Sequence, residues 1–476
     1  MASKNDKRPN IVFILTDDQG AWALGCAGNK EIRTPNLDHL ADTGIRFENF
    51  FCTSPVCSPA RASLLTGRIP SQHGVHDWIR KGNIGGNAVE YLKGQLAYTD
   101  VLAKNGYICG ISGKWHLGNS IKPQKSFSHW YVHQKGGGPY YNAPMIRDGQ
   151  HVNEPEYVTD LITDDALTYL NERTKDDKPF YLSVHYTAPH SPWIGNHPRE
   201  IVDSYDSCPF DSCPQEPDHP WTKNKLHSKR MKEIKKDIRG NLKGYFAAVT
   251  AMDINVGRII DKLEEMNLRK NTLICFLSDN GFNCGHHGIW GKGNGTFPLN
   301  MYDNSVRVPA IMSHPGHIPQ GKVCRELISG YDFMPTLLDY VGLKNPEAHK
   351  LPGKSFLPIL LGQSGKGREH IVVYDEYGPV RMIRTKEWKY IHRYPYGPYE
   401  LYDLVNDPDE RINLIDDAGK KEVLTSLRAM LQDWFVQYAD PKFDGTHEPV
   451  IGLGQIYLIG PGGRGVSAFE DENALS

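Results

Sequence analysis

Two apolar runs of strand length, Ile11 to Leu15 and Thr272 to Leu277, lead almost directly into acidic pairs, Asp17-Asp18 and Asp279-Asn280. No other feature of the 476-residue chain constrains its fold as much. Between these runs, strand-like and helix-like segments alternate. Thr34-Pro35 opens a helix through Leu37, Leu40 and Ala41 that Gly44 stops. Tyr181 to Tyr186 reads as a strand. From Tyr245 to Met266, apolar residues from Phe246 through Val249, Met252, Val256 and Ile260 to Leu263 recur at helical spacing. The alternation predicts an α/β fold with a large, mainly parallel (mixed) central sheet sandwiched by helices.

Beyond about residue 365 the pattern changes. Short alternating runs at Arg381 to Thr385, Trp388 to His392 and Glu400 to Asp403 predict an antiparallel sheet, and a helix follows from Lys420 to Tyr438. We therefore expect a catalytic domain over 1–365 and a smaller C-terminal α+β subdomain over 366–476. The subdomain ends in a glycine-rich tail after Asp440, which carries Ile451, Leu453, Ile456, Tyr457, Leu458 and Ile459 and is too apolar for a disordered end. A polar, proline- and lysine-rich stretch from Glu200 to Arg239 reads as a surface excursion near the site mouth.

Composition excludes several classes. Lys plus Arg is 54 and Asp plus Glu 56, for a net charge of −2, which argues against a general nucleic-acid or membrane-surface binder. No apolar run approaches the ~20 residues of a membrane span. The first ten residues are charged and lack a signal-type apolar stretch. The expected location is cytoplasmic for the chain as it stands, and periplasmic or secreted if a leader has been removed. Nine cysteines in a long chain make no disulfide framework, and Cys208 and Cys213 read as free thiols in preference to a pair.

In open α/β sheets ligands bind beyond the carboxyl ends of the strands. Two such ends bring together Asp17, Asp18, Asp279 and Asn280, hard oxygen donors that suit Ca²⁺ or Mg²⁺ rather than zinc. Either pair alone reads as helix caps in preference to metal ligands. Cys57-Ser58-Pro59-Ala60-Arg61, followed by Thr66-Gly67-Arg68, changes the balance. Pro59 suits the first turn of a helix and Gly67 its end, which places Cys57 at the positive end of a helix dipole. Alone, this cysteine also reads as a buried structural thiol. Three cationic elements complete the set: Lys114 and His116 in Gly-Lys-Trp-His-Leu-Gly, His190 in Ala-Pro-His-Ser-Pro, and Lys292 in the glycine-rich loop 290–296.

Taken in order along residues 8 to 415, these motifs resemble the type I sulfatases of the alkaline phosphatase superfamily. Thr34-Pro-Asn-Leu-Asp38, Leu401-Tyr-Asp-Leu404 and Asn406-Asp-Pro408 match further landmarks of that family. The resemblance implies that a maturation enzyme oxidises Cys57 to formylglycine, whose hydrated aldehyde attacks sulfur. It implies a metal site of Asp17, Asp18, Asp279 and Asn280 beside residue 57, with Cys57 itself counted among the ligands, holding Ca²⁺ in preference to Mg²⁺. It assigns Arg61, Lys114 and Lys292 to the sulfate charge, His190 or Lys292 to the proton of the leaving oxygen, and His116 to the proton of the second hydroxyl. A phosphodiesterase or phosphonate monoester hydrolase of the same superfamily is the nearest alternative, and a non-catalytic glycan-binding protein a remote one. The expected substrate is a sulfated carbohydrate cut at an exposed end. His76, Asp77, Trp78, Arg80 and Tyr140 are the candidate substrate contacts. The tail after Asp440 is a candidate wall of the pocket, from its own subunit or from a homo-oligomeric partner's.

Overall fold

A computed structural model describes residues 8–173, 177–223, 225–375, 380–450 and 452–470. The N-terminal residues 1–7 and Ile451 of the tail lie outside the described residues. At the centre is a ten-stranded mixed sheet. Its middle is parallel, in the order Thr272–Ser278, Asn10–Thr16, Phe180–His185, Ile108–Gly113 and His129–His133. Ala310–Ser313 joins antiparallel to Thr272–Ser278 on one side, followed by Ile45–Phe47 and Lys322–Cys324. Ala143–Arg147 and Gln150–Glu154 extend the other side as an antiparallel hairpin.

Strand periodicity explains the layering. Along Asn10–Thr16, Ile11, Phe13 and Leu15 point to one face and Val12 and Ile14 to the other, and all five are buried. Burying such a side chain contributes roughly 1.5–3 kcal/mol, so a strand apolar on both faces needs cover on both. On one face lie the helices Pro35–Asp42, Val158–Arg173 and Ile238–Glu265, packed through Leu37, Leu40, Ile162, Val249 and Met252. On the other lie Cys57–Thr66, Tyr98–Lys104 and Phe333–Tyr340, through Leu64, Leu65, Tyr98 and Phe333.

The long helix starts two turns earlier than apolar spacing predicts, at Ile238 instead of Tyr245. Its polar first turns are held from outside the apolar pattern. The Asp237 side chain caps the Gly240 amide at 2.7 Å, and a Cβ at Gly244 would lie 2.6 Å from the Trp193 Cβ, so the helix lies tight against that residue.

The C-terminal sheet is antiparallel, as predicted: Ile371–Asp375, Val380–Arg384, Trp388–Arg393 and Glu400–Asp403 pair in sequence order. The helix Lys421–Tyr438 covers it with Leu427, Leu431, Trp434 and Phe435. Residues of the tail fold back on their own chain, where Phe443, Val450, Ile459, Ala468 and Phe469 join the main apolar cluster. Among the described residues no disulfide joins any of the nine cysteines. Among the described residues no helix is long and apolar enough to cross a membrane.

Candidate active site

Adjacent strands Asn10–Thr16 and Thr272–Ser278 run in register, Thr16 beside Ser278, so their acids emerge side by side. The Asp18 amide donates to Asp279 Oδ1 (3.3 Å), and Asn280 Nδ2 donates to Asp18 Oδ1 (2.8 Å). The helix Cys57–Thr66 begins opposite them. Val56 is its extended N-cap and Gly67, at φ 65°, its left-handed C-cap, as the Pro59 and Gly67 positions predict. Cys57 Sγ donates to Asp17 Oδ1 (3.2 Å), and Lys292 Nζ lies 2.7 Å from the same sulfur.

Six buried charges surround this thiol. Lys114 pairs with Asp17, Lys292 with Asp18 (2.5 Å) and Arg61 with Asp279 (2.9 Å). Three acids thus balance three bases. Burial pushes the Asp17 carboxyl up, but Lys114, His190 and Lys292 outweigh it and hold it well below the usual carboxylate range. Burial, then the neighbouring Asp17, pushes Asp279 up to about 6. Burial, then Asp17, also pushes the Cys57 thiol up to about 12. An unmodified Cys57 is therefore protonated at neutral pH and a poor nucleophile.

The donor set fits a hard divalent cation. Asp17, Cys57 and Asp279 offer ligand atoms within 4.8 Å of one another. Asn280 Oδ1 is buried with no hydrogen-bond partner among the described residues, and such an orphaned oxygen is costly unless something binds it. With Asp18 alongside, oxygens dominate the set, as Ca²⁺ or Mg²⁺ requires.

Lys114 follows directly on the strand Ile108–Gly113. Gly113 (φ 112°) is required there, since a Cβ would lie 2.0 Å from the His185 carbonyl oxygen. Sequence reasoning expects an extended segment that turns Lys114 and His116 to one face. Instead His116 adopts a left-handed backbone (φ 53°), although both side chains still line the cavity. His116 Nε2 lies 3.0 Å from the Ile79 carbonyl. A carbonyl only accepts, so Nε2 carries the proton and Nδ1 the lone pair. That Nδ1 is buried without a partner among the described residues. Burial and Lys114 hold the ring well below the usual histidine range, that is, neutral. His190 is fixed by Nδ1 donation to the Ser191 carbonyl (2.6 Å), with Nε2 3.7 Å from Asp18 Oδ2.

Above these groups opens a cavity of about 420 Å³. Asp18, Cys57, Lys114, His116, His190 and Lys292 line it, together with Trp78 and Arg80. Three other sequence candidates do not line it. His76 Nε2 donates to the Phe443 carbonyl (2.7 Å). Asp77 is buried and accepts the amides of Trp78 and Gly454, the latter at 2.8 Å. Tyr140 is buried and donates to the His190 carbonyl (2.7 Å), so it holds the backbone of a site residue. His76 and Asp77 follow the Thr66-Gly67-Arg68 landmark in sequence and Tyr140 offers an aromatic face for a sugar, but burial turns all three inward.

The structure adds Lys135 and Arg230 to the cavity wall, which Gly136 and Asn294 also line. Gly136 lies against His116, where a Cβ would sit 1.9 Å from Cε1. Arg230 comes from the helix Lys225–Lys235 within the basic excursion. A sequence signal existed. His227, Arg230, Met231 and Ile234 are spaced i, i+3, i+4, i+7, one stripe of a helix, and Met231 and Ile234 are buried. The tail reaches this wall too: Gln455 pairs with Ile79 in a parallel bridge, bonding the Trp78 carbonyl and the Arg80 amide (2.8 and 2.9 Å).

Comparison with known proteins places this geometry. Residues 9–343 match the sulfatase family profile, and residues 285–437 match the N-sulphoglucosamine sulphohydrolase C-terminal profile. The chain belongs to the type I sulfatase family of the alkaline phosphatase superfamily and is a sulfuric ester hydrolase. It is 30% identical to N-acetylglucosamine-6-O-sulfatase of Bacteroides thetaiotaomicron over 91% of this chain and 87% of that protein. It is 30% identical to human (Homo sapiens) arylsulfatase A over 89% and 87%. Among solved structures, one in complex with its substrate D-glucosamine-2-N,6-O-disulfate superposes with a TM-score of 0.78 at 28% identity, covering 93% of this chain and 100% of that one.

Proposed function

We propose that the protein releases sulfate from the exposed end of a sulfated carbohydrate, using a formylglycine made from Cys57 and a Ca²⁺ held by Asp17, Asp18, Asp279 and Asn280. The observation that carries this reading is the position of Cys57. It starts a helix at the floor of the cavity, between Asp17 and Lys292, among three buried acid–base pairs. The cavity volume lies in the lower part of the range for small-ligand sites, about 300–1,000 Å³, which suits one terminal sugar. Similarity to an N-acetylglucosamine-6-O-sulfatase, and to a solved structure holding a sulfated glucosamine, supports the sugar.

The chain's own residues divide the work. Bound Ca²⁺ supplies positive charge to the sulfate oxygens. The oxidised, hydrated residue 57 supplies one hydroxyl for attack on sulfur and a second whose deprotonation expels sulfate. Lys114 and Lys292 line the cavity as fixed cations, and buried Arg61 holds Asp279 beneath it, so charge stabilisation needs no reorganisation. His190 or Lys292 gives a proton to the sugar oxygen as its bond to sulfur breaks. His116 takes a proton at Nδ1, the nitrogen that its Ile79 contact leaves free. Overall, a sulfate ester and water give an alcohol and sulfate.

Two measurements on enzyme co-produced with a formylglycine-generating enzyme form the test. Mass spectrometry of the Cys57 peptide should show replacement of the thiol by aldehyde. The same sample should release sulfate from a terminal sulfated monosaccharide faster than from a polymer sulfated only internally. Full activity in Cys57→Ala would end the formylglycine reading. Faster internal release would end the exo reading, and turnover confined to aryl sulfates the carbohydrate one.

A further inference from the structure

Among its own side chains the inner site is charge-balanced: Asp17, Asp18 and Asp279 pair with Lys114, Lys292 and Arg61. The outer wall of the same cavity carries three more cations, Arg80, Lys135 and Arg230. One is already neutralised, since Arg80 pairs with Glu470 of the tail. Arg230 and Lys135 are not. Neither has a hydrogen bond or ion pair from its side chain among the described residues.

Arg230 is the more telling. Its guanidinium is half-buried, and a Cβ on Gly291 would lie 3.5 Å from its Nη1, so it sits beside the backbone that leads into Lys292. The helix is fixed from within by Met231 and Ile234, and by His227 Nε2 donating to the Asn294 carbonyl (2.9 Å). Arg230 is therefore held at the cavity, partly stripped of water, with no protein partner. Burial lowers its affinity for the proton, and Asp18 only partly offsets this. A cation kept in such a place loses hydration without compensation unless an anion arrives. Lys135 lines the same cavity, on the loop that lays Gly136 against His116.

We infer that Arg230, with Lys135 at the mouth, forms a subsite for a second anionic group, so that the preferred substrate is a saccharide bearing a further sulfate or a carboxylate beside the sulfate removed. The inference rests on the carbohydrate sulfatase reading of the same cavity. A planar guanidinium takes a sulfate or a carboxylate by paired hydrogen bonds, and a lysine adds a point charge. The two sources of anion share this chemistry and differ in where they lie, on the same sugar or on its neighbour.

Matched substrates test it on the mature enzyme. N-acetylglucosamine 6-sulfate is compared with N-sulfoglucosamine 6-sulfate, N-acetylgalactosamine 6-sulfate with its 4,6-disulfate, and each 6-sulfated amino sugar with the disaccharide that links it to an unsaturated uronate. We expect at least one doubly anionic member to exceed its partner by about tenfold in kcat/KM, mainly through KM, the size of one charge-assisted contact. A gain with the second sulfate identifies a same-sugar anion, and a gain with the uronate a neighbouring one. Arg230→Gln should lower kcat/KM on the favoured substrate about tenfold more than on its singly charged partner, and Lys135→Gln, at an exposed position, should do so to a smaller extent. If no pair shows a preference, or if both variants lose equally on both members, the second-anion subsite is refuted. If no saccharide releases sulfate while an aryl sulfate does, the carbohydrate reading has failed instead. Those outcomes are separable because wild-type turnover of the singly sulfated sugars reports on the reading alone.

Discussion

Gly136→Ala isolates the position of His116 from its chemistry. A methyl group there would lie 1.9 Å from Cε1, 2.0 Å from Nε2 and 2.4 Å from Cδ2 of the imidazole. Ordinary carbon contacts begin near 3.5 Å, so ring and loop must separate by more than about 1 Å. A ring that yields loses its 3.0 Å contact with the Ile79 carbonyl, the contact that leaves Nδ1 unprotonated. Gly136 has no positive φ, so the change is steric and adds no backbone strain. A misplacement of 1 Å costs about 10²-fold in rate, or about 2.7 kcal/mol of barrier. The loss should fall on kcat, because His116 is assigned to sulfate release and not to sugar binding. Gly137→Ala is the control one residue on, where a Cβ would meet His190 at 3.5 Å, an ordinary contact. It should cost less than about threefold. The assay is steady-state sulfate release by both variants after confirmation of equal formylglycine content and of an unchanged melting temperature. Retention of wild-type kcat by Gly136→Ala, or equal losses in both variants, would refute the placement of His116 as the base.

Three further outcomes follow from the same geometry. Exhaustive chelation should remove activity by at least about 10²-fold and lower the melting temperature, and Ca²⁺ should restore both. Asp279→Asn should lose the thermal shift as well as the rate, and a chelated enzyme that melts unchanged would reject the metal assignment. Gln455→Ala should destabilise by roughly 3 kcal/mol in denaturant titrations, since its side-chain amide donates to the carbonyls of Gly74 and Tyr457 (both 2.9 Å) and accepts from the His76 amide (2.9 Å). His76 should steepen acid unfolding. Burial lowers it to about 4 from an unfolded value near 6.5, so below pH 6.5 the unfolded chain takes a proton that the folded one refuses. Stability present above 6.5 is then lost as pH falls toward 4, at about 1.4 kcal/mol per pH unit for this residue, and His76→Gln should be shallower by that amount in denaturant titrations. Parallel slopes for the two proteins would contradict it.

Much of this protein was legible in its sequence because the signals were local. Strand and helix period set the α/β class, and each acid pair follows its strand end by covalent connection alone. Pro59 and Gly67 bounded the helix of Cys57 for the same reason. What sequence spacing could not supply was the direction of side chains in irregular segments. His76, Asp77, Trp78 and Arg80 are neighbours in the chain, yet only the last two reach the cavity, because the tail packs on the 73–80 segment from nearly 400 residues away and claims the others for hydrogen bonds. His116 reached the site through a left-handed turn and not through an extended strand. Arg230 lay hidden in a run of like charges until the packing of Met231 and Ile234 fixed which of them faces inward. The sequence by itself determined the elements and the inventory of chemical groups, since those depend on short-range steric and apolar patterning. The tertiary structure alone decided which charges neutralise one another and which stand unpaired over Cys57, because Coulomb balance depends on distance in space.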